Sequence, residues 1–303
     1  MIYDENEMKN LISNIVENKN IKITPIGNHE IKRNLVYIIH ENDKKYVFKM
    51  YFNHGRSIRE INSLQILKDS NVKVPKLIKT GIYHGYDWVI MEYISGETLD
   101  NVIMKISDEN KKLIFKEMGE TLGEIHSFKI FNYAVTWDKT ITSQEFEDYK
   151  FKKLNKNIIE IESQNLPDKD VLYKAIKILK GNYNKIINKN EFRFTHNDFE
   201  GRNILVENID GEYKINALID FEHSYPDNYE NDLANLYFKY FIKNKEYEKC
   251  FIDGYKSYMN IKEDFYKNIK YFLIAMVIDH CSWSFVKANE YYTENIEFLK
   301  KLL

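Results

Sequence analysis

Apolar and polar positions follow two rhythms along the chain, and the rhythm changes near Gly96. In residues 5–17, Met8, Leu11, Ile12, Ile15 and Val16 recur at helical spacing and predict an amphipathic helix. Residues 21–26 then read as a short strand ending at Gly27. Residues 35–40 and 46–51 are β-branched and aromatic runs joined by Glu41-Asn42-Asp43-Lys44, a hairpin pattern. Ile58, Ile61, Leu64 and Leu67 form one stripe of a helix over 57–68. Residues 78–83 and 88–94 read as strands paired around His84-Gly85. Beyond Gly96 helices take over. Leu113, Met118, Leu122 and Ile125 mark one over 108–127, and further helical patterns cover 146–161, 171–187, 233–242, 247–258, 265–286 and 291–303. Two strand-like runs, 203–206 and 215–219, interrupt them. The expectation is an α+β protein: a small antiparallel-sheet lobe over 1–95 and a larger, mainly helical lobe over 96–303, joined by a hinge at Ser95-Gly96.

Composition narrows the class. At 303 residues with 23 Tyr, 18 Phe and only 4 Pro, the chain can bury a large core. Acidic and basic residues are interspersed and the formal net charge is −2, so no nucleic-acid surface is expected. The two cysteines, Cys250 and Cys281, suggest neither a disulfide framework nor a thiolate metal site, which fits a reducing, cytoplasmic setting. The first ten residues, MIYDENEMKN, lack an apolar signal core, and 272–278 is the nearest approach to a membrane span, so no membrane partner is expected.

The chemistry concentrates in residues 194–222, FTHNDFEGRNILVENIDGEYKINALIDFE. Here His196, Asp198, Asn203 and Asp220 flank the two apolar runs. One aspartate can orient or deprotonate a hydroxyl, while an asparagine and a second aspartate supply hard oxygen ligands suited to Mg²⁺ beside phosphates. The order H-x-D-x-x-x-x-N, apolar strand, D-F-x resembles the catalytic core of the kinase-like phosphotransferases, a group that includes aminoglycoside phosphotransferases and choline kinases.

That resemblance implies the bilobal protein-kinase-like fold and assigns roles. Asp198 would be the catalytic base, and Asn203 and Asp220 the metal ligands. Lys49, flanked by apolar residues in YVFKMY, is costly to bury unless an anion meets it; in the family this lysine holds the nucleotide's α- and β-phosphates and pairs with a helix glutamate, here Glu60. The nucleotide-covering loop contains Gly27 where a protein kinase has G-x-G-x-x-G, and it ends in Arg33-Asn34-Leu35-Val36-Tyr37, so its amides and Asn34 are candidates to touch phosphate. Met91 would back the adenine, with backbone groups of Glu92, Tyr93 and Ile94 bonding the base. His126, His196 and Asp232 (in D-L-A) are expected to support the catalytic loop rather than react. Glu222 stands where D-F-G has glycine, and no activation segment follows, which argues against a protein kinase.

For the acceptor, Asp227, Glu230, Asp279 and Glu290 would suit a cationic aminoglycoside, and Trp283, Tyr291 and Tyr292 a choline-like cation. The implied activity is Mg²⁺-dependent transfer of the γ-phosphate of ATP or GTP to a hydroxyl of a small molecule, foremost of aminoglycoside type, as in antibiotic resistance. The alternatives are a metabolic kinase for choline, ethanolamine or a sugar, and a non-catalytic nucleotide-binding pseudokinase. Retention of Lys49, Asp198, Asn203 and Asp220 together speaks against the last.

Overall fold

A computed structural model describes residues 4–27, 29, 33–132, 134, 143–189 and 191–303. The chain forms two compact units, Met1–Ser107 with Gly201–Ser224, and Asp108–Glu200 with Tyr225–Leu303. Elements are numbered in chain order.

In the first unit, α1 (Glu5–Val16) starts where Asp4 accepts a hydrogen bond from the Glu7 amide at 2.7 Å. It buries Met8 and Ile12 against a five-stranded antiparallel sheet. The strands are β1 (Lys22–Ile26), β2 (Asn34–Glu41), β3 (Lys44–Tyr51), β4 (Leu77–Tyr83) and β5 (Tyr86–Glu92), in spatial order β1-β2-β3-β5-β4. The hairpins turn where the sequence places them, with Asn42, His84 and Gly85 at positive φ. Strand periodicity of two puts Leu35, Tyr37, Ile39, Phe48 and Met50 into the core. It sends Lys49 and Tyr51 to the opposite face, where both are also buried.

Helix α2 (Arg56–Leu67) departs from the expected stripe. Its buried positions are Ser57, Glu60, Ser63, Leu64 and Leu67, while Ile58 is 47% exposed. The helix turns a polar edge inward because the carboxylate of Glu60 and the hydroxyl of Ser57 find partners there, which offsets their desolvation.

The remaining pieces are β6 (Glu97–Thr98), α3 (Leu99–Val102), β9 (Ile204–Ile209) and β10 (Glu212–Leu218). They explain why compactness does not follow a single cut at 95. Strand β6 pairs with β9 in the sheet β10-β9-β6, the Asn216 amide group donates to the Ser95 carbonyl at 2.7 Å, and the Leu218 amide donates to the Lys73 carbonyl at 3.0 Å. Gly96 has φ 142°, and a Cβ there would stand 2.9 Å from the Val206 carbonyl oxygen, so the crossing needs glycine.

The second unit contains α4 (Asp108–Phe128), β7 (Ile130–Phe131), α5 (Ser143–Ser163), α6 (Lys169–Lys180), β8 (Phe192–Thr195), β11 (Tyr225–Asp227), α7 (Glu230–Leu236), α8 (Lys245–Tyr255), α9 (Glu263–Lys287) and α10 (Asn289–Leu302). A small antiparallel sheet, β11-β8-β7, carries the chain into the loop that bears Asp198. The pattern over 171–187 is not one helix: α6 stops at Lys180, and Tyr183–Ile186 forms a separate 3₁₀ turn. Helix α7 continues into a π-helical turn, Tyr237–Phe241.

Helices α4 and α8 approach closely through glycines. A Cβ at Gly119 would lie 2.0 Å from the Phe251 carbonyl oxygen, and one at Gly254 2.0 Å from that of Lys116. Helix α9 is, by length and composition, apolar enough to cross a membrane, contrary to the expectation from its short apolar run. In this unit it packs against α5, α6, α7 and α10, with Phe272, Leu273, Ile274, Val277 and Ile278 buried, as a core helix does.

Candidate active site

In the first unit, alternation along β3 aims Lys49 and Tyr51 at the buried edge of α2. The Lys49 ammonium lies 2.7 Å from Glu60, 2.7 Å from Asp220 and 2.9 Å from Glu222. Glu60 also accepts from the Tyr51 hydroxyl at 2.5 Å and from the Phe221 amide at 3.3 Å. Burial works against the charge on Lys49, but Asp220, Glu60, Tyr51 and Glu222 outweigh it and hold the ammonium well above the ordinary lysine range. Burial likewise raises the Glu60 carboxyl, with Lys49 opposing. For Glu222 burial is overcome by His223 and Lys49, so its carboxyl is held far below the usual range.

The β9–β10 hairpin positions the next pair. Ile204 faces Leu218 in register, and the Ile219 amide donates to the Asn203 carbonyl at 2.9 Å, so Asn203 and Asp220 occupy the same end of the hairpin. Asp220 adopts φ 65°, unusual for a non-glycine residue, and its side chain is 36% exposed beside the buried Lys49 and Glu60. Carboxylate oxygens of Glu60, Asp220 and Glu222 lie within 4.8 Å of one another, the only such acidic or thiolate cluster among the described residues. An all-oxygen donor set around a fixed ammonium suits a hard divalent cation and phosphate oxygens.

Several expected residues behave differently in detail. The Asn34 side-chain amide donates to Glu222 at 2.5 Å, so it is engaged by the residue that replaces the glycine of D-F-G. Part of the nucleotide-covering loop expected before Asn34, positions 28 and 30–32, lies outside the described residues. Met91 is buried. The Glu92 amide already donates to the Lys76 carbonyl at 2.9 Å, closing the sheet, so that donor is not open for a base. Tyr93 has the Lys45 ammonium 5.3 Å from its ring centre, and Ile94 follows β5 in irregular backbone. Tyr51, Arg56 and Glu222 received no role from the sequence pattern. Tyr51 follows Lys49 at strand period two, and Arg56 donates to the Glu222 carbonyl at 3.2 Å. The strand periodicity could have found Tyr51.

In the second unit, β8 ends at Thr195 and the chain turns into the loop bearing Asp198, which is half-buried. The Thr195 hydroxyl donates to the Tyr225 carbonyl at 2.6 Å. Asp232, on α7, accepts from the amides of His196 at 2.8 Å and Asn197 at 2.7 Å. His126 Nε2 stands 3.2 Å from the same carboxylate, and its Nδ1 2.8 Å from the Tyr255 hydroxyl. Asp232 thus grips the loop backbone immediately before Asp198.

The candidate acceptor acids are held in different ways, although Asp227 and Asp279 both act on Lys153 and Tyr183. Asp227 is ion-paired to Lys150 at 2.6 Å, while Asp279 meets Asn157 at 2.9 Å and Lys153 at 3.4 Å. Glu230 is buried, which pushes its carboxyl up to about 7, and Glu290 is exposed on α10. Trp283 and Tyr291 are ring neighbours at 5.9 Å, whereas Tyr292 is buried against Phe285.

Residues 23–256 match the APH phosphotransferase enzyme family. Among solved structures, aminoglycoside phosphotransferase APH(4)-Ia is similar with TM-score 0.74 at 11% identity, over 97% of both chains. APH(2'')-Ib in its ADP-bound form gives 0.65 at 17% identity, over 99% of this chain and 98% of that one. The streptomycin–ATP–APH(2")-IIa complex gives 0.59 at 18% identity, over 99% and 97%. These likenesses establish the protein-kinase-like α+β fold. The KEOPS complex subunit Bud32 of Pyrococcus abyssi is 29% identical over 86 residues, a match spanning 28% of this chain and 38% of that protein.

Proposed function

The chain belongs to the APH phosphotransferase enzyme family, and from that premise we propose that it is a magnesium-dependent small-molecule kinase. It would move the γ-phosphate of ATP or GTP to an acceptor hydroxyl, foremost of an aminoglycoside-type compound. The observation that carries this reading is the buried Lys49 ammonium held between Glu60, Asp220 and Glu222. A fixed, permanently charged ammonium beside hard oxygen donors is what a triphosphate and its metal require, since phosphoryl transfer rests on positioning and charge neutralisation. Asp220 and Asn203 would hold Mg²⁺, with Glu222 beside Asp220. When bound, the metal would neutralise charge on the phosphate oxygens. Lys49 would hold the phosphates, Glu60 would keep the ammonium in place, and Asp198 would accept the acceptor's hydroxyl proton and orient that oxygen.

Two similar structures support a nucleotide with a small-molecule co-substrate: a thermostable mutant of APH(4)-Ia in a ternary complex with AMP-PNP and hygromycin B, and the streptomycin–ATP complex above. One observation favours a second acceptor class. Asp227 and Asp279 are already paired with lysines, which weakens a polycationic acceptor and favours an amino alcohol or sugar meeting Trp283 and Tyr291. A coupled assay with MgATP or MgGTP against aminoglycosides, choline, ethanolamine and simple sugars decides between them. Stimulation by one class, lost in Asp198→Asn, identifies the acceptor. Nucleotide binding with no turnover on any of them would overturn the enzyme reading in favour of a non-catalytic binder.

A further inference from the structure

The relay behind the catalytic loop extends one residue beyond the aspartate and histidine that the sequence suggests. Tyr255, at the end of α8, is fully buried, and its hydroxyl reaches Nδ1 of His126 on α4 at 2.8 Å. The opposite ring nitrogen, Nε2, faces Asp232 at 3.2 Å. Burial lowers the His126 pKa against the pull of Asp232, so the ring is neutral near pH 7 and carries one proton. With a carboxylate on one side and a phenol on the other, a single arrangement satisfies every group: Nε2–H donates to Asp232, and Nδ1 accepts from Tyr255. The other tautomer would point a lone pair at the carboxylate and would turn the Tyr255 hydroxyl from Nδ1 to the Met259 sulfur.

The consequence reaches Asp198 through the backbone. Asp232 divides its oxygens, Oδ2 accepting from His126 and the His196 amide, and Oδ1 accepting from the Asn197 amide at 2.7 Å. Asn197 has φ 58°, a left-handed conformation that needs such support, and it directly precedes Asp198. Rotation of the Asp232 carboxylate would release that amide and let the Asp198 side chain leave its setting. The Tyr255 hydroxyl also lies 3.7 Å from the Met259 sulfur, a far weaker acceptor than a neutral imidazole nitrogen.

We propose that Tyr255 is a positioning residue for phosphoryl transfer: by donating to Nδ1 it holds the His126 ring as the Nε2–H donor that Asp232 requires, which locks Asp232 onto the strained Asn197 amide that aims Asp198. This rests on the reading of Asp198 as the residue that orients the acceptor hydroxyl.

The test pairs nitrogen-15 NMR of the histidine rings with steady-state kinetics on the full chain. The His126 signals are assigned by their loss in His126→Gln. The expected result is a neutral Nε2–H ring in the wild type and a shifted Nδ1 resonance in Tyr255→Phe. Turnover is read with MgATP and whichever panel compound stimulates most, or with water as acceptor when none does. Tyr255→Phe should lower kcat about 5- to 10-fold, the scale of one lost buried hydrogen bond, with KM for ATP unchanged. In a His126→Gln background the same change should cost nothing further.

A wild-type ring protonated on Nδ1 would overturn the proposal whatever the variants do. So would an unchanged kcat in Tyr255→Phe, or an equal loss in both backgrounds, which would mark a merely structural tyrosine. Undiminished turnover in Asp198→Asn would instead overturn the underlying site reading, and the catalytic part of this proposal with it, while leaving the tautomer result to stand on its own.

Discussion

Replacing Lys49 with methionine keeps an unbranched side chain one atom shorter and removes the charge at the centre of the carboxylate cluster. Three ion pairs disappear, with side-chain exposures of 6% for Lys49, 2% for Glu60, 8% for Glu222 and 36% for Asp220. The Asp220 pair is open enough to solvent to count for little. Glu60 and Glu222 are left buried without the ammonium, and breaking such a pair costs about 3–5 kcal/mol. Glu60 retains Tyr51 and Phe221 as donors and Glu222 retains Asn34 and His223, so the lower end, about 3 kcal/mol at pH 7, is the expectation. The sign of the pH dependence follows from Glu222. Burial alone would raise its carboxyl, but His223 and Lys49 depress it far below the ordinary value. Its contribution to wild-type stability is therefore complete above the unfolded carboxylate pKa, about 4.3, and lost as pH falls towards the depressed folded value. In Lys49→Met the crowded acids protonate at higher pH and relieve their repulsion, so the gap between variant and wild type narrows from pH 7 towards about pH 5. Urea denaturation followed by circular dichroism at both pH values measures it. Mg²⁺ should restore stability to the variant more than to the wild type, since it can take the place of the ammonium. A variant as stable as wild type at pH 7, or a gap that widens on acidification, would refute this account of the cluster.

Asp198→Asn should lower turnover about 10²- to 10⁴-fold while leaving nucleotide affinity unchanged, measured by initial rates and by calorimetric titration with MgATP. Glu230→Gln tests a buried acid whose desolvation outweighs the attraction of Lys262. The carboxyl is raised from 4.5 to about 7, so its penalty develops as pH rises through that interval and is constant above it. At about 1.4 kcal/mol per pH unit the variant should gain up to about 3 kcal/mol at pH 8 and nothing at pH 4, by chemical denaturation. Gly119→Ala should destabilise the protein by about 1–3 kcal/mol despite alanine's better helix propensity, because its Cβ would meet the Phe251 carbonyl oxygen at 2.0 Å. A raised Tm for that variant would mean that α4 and α8 can move apart freely.

What the sequence determined is what short-range periodicity and local turn chemistry encode. The hairpins at Asn42 and His84-Gly85, helices α1 and α4, and the H-x-D-x-x-x-x-N pattern were all legible, since each depends on residues a few positions apart. Tertiary structure decided the features in which a partner distant in sequence sets the energy. It turned the Ser57-Glu60-Ser63 edge of α2 inward in place of Ile58, because Lys49 and Tyr51 on β3 satisfy Glu60. It made Glu222, a mere departure from D-F-G in the sequence, a buried partner of Lys49 and Asn34. It joined 201–224 to the amino-terminal unit through the β6–β9 pairing. It also ran a hydrogen-bonded line from Tyr255 through His126 and Asp232 to Asn197. A buried polar group is stable only with its partner in place, and that partner is chosen in space, beyond the reach of any local pattern.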